Sequence, residues 1–249
     1  MFRDFVMFIY VLFQCFFLNI SFAQVKSEGD SEEDAIQNAV SVYSRSLGEQ
    51  SGIYRGTEYT GYPHRIQTGH PFFESSDLTY GTVFYDGMLY KSVPMWYDLV
   101  KNQVVIQYID RFSKISLHNE RIAYFSLYNH HYIHINKDTS NRTSLSEGFY
   151  DRIYHGKTEV LVKRSKNTLK EVSTEGIFIT ILKQKNDFYL RKGELYYAVE
   201  SPGSVLKALG SKQKEIQEFL KKSNVKFRKD PENAIVRIVR YYDLLTELK

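Results

Sequence analysis

The sequence predicts an α+β fold, an antiparallel β-rich meander built as a sandwich or a half-barrel, with an N-terminal helix and two to three C-terminal helices. Three observations carry this. From about residue 53 to 200, short runs rich in Tyr, Phe, Val and Ile are divided by turn signals. The dipeptide Asp86-Gly87 between two such runs is the strongest of these signals, because a two-residue hairpin turn needs positive φ at both central positions. Beyond residue 204 the apolar spacing changes to that of helices, and no Gly/Ser- or Pro-rich linker separates the two regions. With 249 residues, 43% of them hydrophobic, there is material for one sizeable core. An aromatic content of 15% and a net charge of only +4 exclude a disordered chain, and a single cysteine excludes a disulfide framework.

Taken in order, residues Phe5 to Ile20 form an apolar run preceded by Arg3 and followed by Ser21-Phe22-Ala23-Gln24. Small residues at Ser21 and Ala23 define a secretory cleavage site, so residues 1–23 read as a signal peptide and the mature chain begins at Gln24. The run is shorter than the roughly 20 residues a membrane-spanning helix needs. Cys15 follows Gln14, where a bacterial lipobox requires a small residue, so the protein is not expected to be a lipoprotein. The mature chain then has no cysteine, which removes disulfides, thiolate nucleophiles and cysteine-bound zinc. A cysteine-free exported protein of this size fits a bacterial envelope, periplasmic or extracellular, better than a eukaryotic secretory route.

Residues 24–34 are polar and acidic and read as a flexible leader to a single domain over 35–249. Ser31 starts a helix with Glu32, Glu33 and Asp34 at its positive end, Ile36, Ala39, Val40 and Tyr43 on one face, and Gly48 as its stop. Strands are expected at Leu78 to Tyr85, Met88 to Val93, Gln103 to Ile109, Lys114 to His118, Ile122 to Tyr128 and Tyr132 to Asn136. Four more follow at Val160 to Arg164, Gly176 to Leu182, Phe188 to Arg191 and Leu195 to Val199, with Asn186-Asp187 and Lys192-Gly193 as turns between the last three. The helical tail spans 204–249: a short turn at Ser204 to Leu209, a helix from Ser211 to Lys222, and a final helix capped by Asp230-Pro231-Glu232 with Ile235, Ile238, Val239, Tyr242 and Leu245 on one face.

The Tyr-rich meander with Tyr85-Asp86-Gly87 and Tyr97-Asp98, the tail Lys212-x-Lys214-Glu215-Ile216-x-x-Phe219 and the ending Tyr241-Tyr242-Asp243 together resemble uncharacterised exported proteins of Bacteroidota-type bacteria. The resemblance implies an envelope or secreted setting and carries no catalytic residues.

Four histidines are the candidates for chemistry. His130 and His134, in Asn129-His130-His131-Tyr132-Ile133-His134, would share a helix face as metal ligands; the flanking aromatics argue for a strand, which spaces them about 13 Å apart. His64 and His70 lie in a Gly- and Pro-marked loop, where a histidine can act as a general base. The plainer expectation is a loop pinned to the sheet by Phe72 and Phe73. Asp86 and Asp98 are the carboxylates weighed as a catalytic pair, each explained more simply by an adjacent turn. No hydrolase, zinc-protease, P-loop or dinucleotide motif occurs, so no cofactor is expected. Twenty tyrosines allow an aromatic face that stacks on sugars or peptides, although tyrosine also favours strands for itself.

Charge is uneven. Residues 24–156 carry 12 Lys/Arg against 16 Asp/Glu, whereas residues 157–229 carry 17 against 8. The basic part suits an envelope protein, a glycan or an anionic surface with peripheral membrane contact at most; export disfavours nucleic acid. The expected function is that of a non-enzymatic exported binding or assembly module, the alternative a hydrolase of envelope polymers with a histidine-containing loop site.

Overall fold

The computed structural model describes residues 46–247 except 64–65, 137–144, 173–177 and 224, together with scattered positions between 32 and 43; of Glu49 and Phe178 only the backbone is described. The signal run, the leader apart from Glu32, and eight of the eighteen positions of the expected helix from Ser31 to Gly48 lie outside these residues. The chain divides into two compact units, Met1–Ala39 and Val40–Lys249, and every element named below belongs to the second.

The fold is mostly β. Among the described residues one sheet of twelve strands, nearly all antiparallel, is followed by three helices. The strands are β1 (Thr57–Glu58), β2 (Ile66–Thr68), β3 (Thr79–Tyr85), β4 (Met88–Asp98), β5 (Gln103–Gln107), β6 (Lys114–Ser116), β7 (Ile122–Leu127), β8 (His130–Ile135), β9 (Gly148–His155), β10 (Thr158–Val172), β11 (Phe178–Lys192) and β12 (Leu195–Val199). Their order across the sheet is β1-β6-β5-β4-β3-β7-β8-β9-β10-β11-β12, with β2 parallel to β11. The helices are α1 (Pro202–Leu209), α2 (Gln213–Lys222) and α3 (Pro231–Glu247).

Local chemistry explains most boundaries. Asp86 and Gly87 take φ of 53° and 80°, the left-handed pair that turns β3 into β4. Ser201 and Ser204 form a reciprocal capping box with Pro202 in the first turn of α1. The Asp230 carboxylate accepts from the Asn233 N–H at 3.0 Å and starts α3.

Three expectations change. Asn186-Asp187 is not a turn: both residues sit inside β11, paired with Arg164 and Lys163 of β10 in a ladder without a break from Thr158 to Val172. The continuous partner strand supplies hydrogen bonds that override the local turn preference. Of the strand expected at Gly176 to Leu182, the part from Phe178 onward is therefore continuous with that expected at Phe188 to Arg191; Gly176 and Ile177 lie outside the described residues. β9 is not anticipated by the sequence reading, because Asp151 and Arg152 interrupt its apolar run.

The sheet curls on itself. Tyr97 of β4 touches Phe125 of β7 at 5.1 Å, Tyr132 of β8 at 5.0 Å and Phe149 of β9 at 5.9 Å, all edge-on. The Lys166 N–H of β10 donates to the Leu99 carbonyl just past β4. The segment from β1 to β2 reaches from one end of the strand order to the last strand but one at the other, since β1 pairs with β6 and β2 with β11. Inside the curl, Val83, Tyr85, Met95, Tyr97, Phe125, Tyr132 and Phe149 form the main core, closed by Ile53 and Phe73. A second core joins Val160, Leu190 and Val199 of the sheet to Val205, Leu209, Ile216, Ile235, Ile238 and Val239 of the helices.

Candidate functional site

β8 brings alternate side chains to the inner face, so His130, Tyr132 and His134 point inward and His131 outward. His130 Nδ1 lies 2.7 Å from Asp151 Oδ2. Asp151 is almost fully buried, and the same oxygen accepts from Nε of Arg164 at 2.8 Å and from its Nη2. Arg164 also reaches out of the sheet to Glu232 in the first turn of α3, at 3.0 and 3.1 Å. Burial works against charge on Arg164, but Glu232 and Asp151 outweigh it and hold the proton more firmly than usual. The Phe73 ring stands edge-on to His130 at 5.0 Å, with the guanidinium 5.6 Å from its centre. The Tyr132 hydroxyl and Asp151 Oδ1 lie in the same interior without a hydrogen-bond partner among the described residues. Burial pushes the Tyr132 phenol up.

The other sequence candidates are not gathered here. His64 lies outside the described residues. His70 lends its backbone carbonyl, with that of Phe72, to the Lys166 ammonium at 2.9 and 2.6 Å. Its own imidazole is held below the ordinary histidine value, chiefly by burial. Phe72 packs beside Trp96 and Phe73 enters the main core, which pins the loop on both faces of the sheet. His134 lies against Phe149 at 4.9 Å, four residues along the strand from His130. Among the described residues no group of three His, Cys, Asp or Glu side chains is placed to hold a metal ion.

Asp86 and Asp98 occupy different surroundings. Asp86 is exposed and paired with Arg121 at 3.4 Å. Asp98 is fully buried and saturated: the Tyr59 and Tyr62 hydroxyls donate at 2.8 and 2.7 Å, and the Val100 and Lys101 N–H groups at 2.8 and 2.9 Å. Lys101 lies over both tyrosine rings.

The basic residues of the helical region face outward. Lys207, Lys214, Lys221, Lys222, Lys226 and Arg228 are exposed, whereas the apolar residues of α2 turn inward, with Ile216 buried and Phe219 stacked on Tyr241 at 4.3 Å. No helix among the described residues is long and apolar enough to cross a membrane.

Sequence reasoning missed Asp151, Arg164 and Glu232. The available signal was a pair of charged residues within Gly148-Phe149-Tyr150-Asp151-Arg152-Ile153-Tyr154, where a strand with one buried face has no use for both unless a partner waits inside.

Comparison of the chain with protein-family models, with curated proteins and with solved structures finds no match.

Proposed function

We propose that the chain is an exported, non-enzymatic binding module of a bacterial envelope whose helical layer presents a basic face to an anionic surface. The observation that carries this is the division of α2. Its apolar residues are spent on the core, and Lys214, Lys221 and Lys222 are left in solvent beside Lys226 and Arg228. A helix arranged so offers charge rather than an apolar wedge, so contact is electrostatic and reversible. On this reading the curled sheet is a half-barrel. Export rests on the apolar N-terminal run and its Ser21-x-Ala23 cleavage pattern. The test is cosedimentation of the mature protein with phosphatidylglycerol and phosphatidylcholine vesicles. Binding to the first alone, fading with salt and lost in Lys221→Glu/Lys222→Glu, supports the reading; no binding at low salt ends it.

The hydrolase reading is favoured by one observation, the 2.7 Å contact of His130 with Asp151. In a catalytic dyad the carboxylate serves the histidine. Here Arg164 takes the same oxygen and also binds Glu232, so the aspartate is engaged by the sheet-to-helix link. Hydrolysis of envelope polymers that disappears in His130→Gln with the fold intact would reverse this order.

A further inference from the structure

A second locus lies on the outer face of the sheet, where Val83 and Tyr85 point into the core and their neighbours Tyr80, Thr82 and Phe84 point away. Three backbone features shape it. β4 carries an extra residue opposite β3, so that Gly81 faces Val93 but Val83 faces Tyr90, and Ser92 in this bulge takes φ of 53°. Gly81 lets β7 approach so closely that a Cβ there would stand 2.4 Å from the Ser126 carbonyl. The β7–β8 turn places Tyr128 and Asn129 at φ of 50° and 64°, with the Tyr128 ring held against Phe73 at 6.1 Å. Three non-glycine residues in left-handed conformation thus border one place, and such strain persists only where the surroundings enforce it.

They line a shallow, open cleft of about 370 Å³, within the size range of small-ligand sites. Among the lining residues Thr82, Ser92 and Ser126 carry hydroxyls, Asn129 a carboxamide and Tyr80 a phenol, and none is Asp, Glu, Lys, Arg or His. Tyr80 is 68% exposed, a large ring left open beside the cleft. On the same face Phe84 and Tyr124 stack at 5.2 Å, and Tyr124 meets His131 at 5.3 Å. Ser126 lies opposite His131 across the hairpin, with Oγ 3.1 Å from Nδ1.

From this chemistry we infer that the cleft binds a neutral glycan. Sugar hydroxyls both donate and accept, matching a lining of hydroxyls and one amide, and the apolar face of a sugar ring fits an open tyrosine. A phosphate or carboxylate ligand would lose hydration and meet no opposite charge. The site uses none of the lysines of the basic helical face, so it stands or fails separately from the proposed function.

The test is calorimetric titration of the mature protein with mannohexaose, cellohexaose and chitohexaose, with oligogalacturonate as the acidic counterpart. The expected result is saturable binding of at least one neutral hexasaccharide, unchanged at about 0.5 M salt and unchanged in Lys221→Glu/Lys222→Glu. Tyr80→Ala should weaken it about tenfold, the worth of one aromatic contact. Tyr80 is exposed, and Thr82→Val, which removes a hydroxyl while keeping a strand-forming shape, provides a second variant that should also weaken binding. No neutral saccharide bound at about 10 mM, binding of the acidic sugar alone, or full affinity in both variants would overturn the inference.

Discussion

Glu232, in the first turn of α3, grips the guanidinium of Arg164 from β10 by two hydrogen bonds of 3.0 and 3.1 Å. The same guanidinium holds the buried Asp151 of β9, which in turn meets His130 of β8. One arginine therefore ties three neighbouring strands to the last helix. Removing it leaves a nearly fully buried carboxylate with its strongest partner gone. Arg164→Leu is expected to cost about 3–5 kcal/mol in urea unfolding, and Arg164→Leu/Asp151→Leu should recover part of it. A single replacement no worse than the double would show that the pair contributes nothing of its own.

Asp98 is another buried carboxylate, and its role is that of an acceptor for the segment leading from β1 to β2. Asp98→Ala strands two tyrosine hydroxyls and two backbone N–H groups and should destabilise by on the order of 3 kcal/mol. Tyr59→Phe removes one donor and should cost about 1 kcal/mol. Thermal unfolding of the two variants gives both numbers, and an equal loss in each would contradict the hydrogen-bond arrangement.

At Gly81 the added methyl would meet the Ser126 carbonyl at 2.4 Å and the Met95 sulfur at 2.6 Å. The carbonyl belongs to the β3–β7 ladder and cannot swing aside. Gly81→Ala should therefore cost about 1–3 kcal/mol and reshape the outer cleft, read as a lowered unfolding midpoint with weakened saccharide binding.

Acid should loosen the molecule through its half-buried imidazoles. His134 is held below the ordinary histidine value of 6.5 by burial, against the opposing pull of Glu147, Asn136 and Glu120. His131 is lowered by burial and by Arg152 and His155, against Asp151. Between the lowered folded value and 6.5 the unfolded chain binds more protons, so stability is full above that range and falls as pH drops through it. His134→Phe should flatten the fall in urea midpoint between about pH 7.5 and 5; an unchanged slope would locate the acid response elsewhere.

How much was legible follows from the range of each interaction. The Asp86-Gly87 turn and the Asp230-Pro231 helix start are decided within a few residues, and both form where the sequence places them. Asn186-Asp187 has the local composition of a turn, but fifteen consecutive pairs with β10 keep it extended. His130 was visible as a candidate from its cluster; its carboxylate was not, because Asp151 is 21 residues away and joins it only through strand register.

By itself the sequence determined the β-rich class with its helical tail, the hairpin turn, the caps and the uneven distribution of charge, because periodicity, turn geometry and capping act over short stretches of chain. Only the tertiary structure decided that the strands form one curled sheet, that Asp151, Arg164 and Glu232 meet inside it, and that Thr79, Ser92, Ser126 and Asn129 line one uncharged cleft. Those relations depend on strand order, on a bulge in β4 and on the close approach that Gly81 permits. Each is a contact between distant segments that no local pattern encodes.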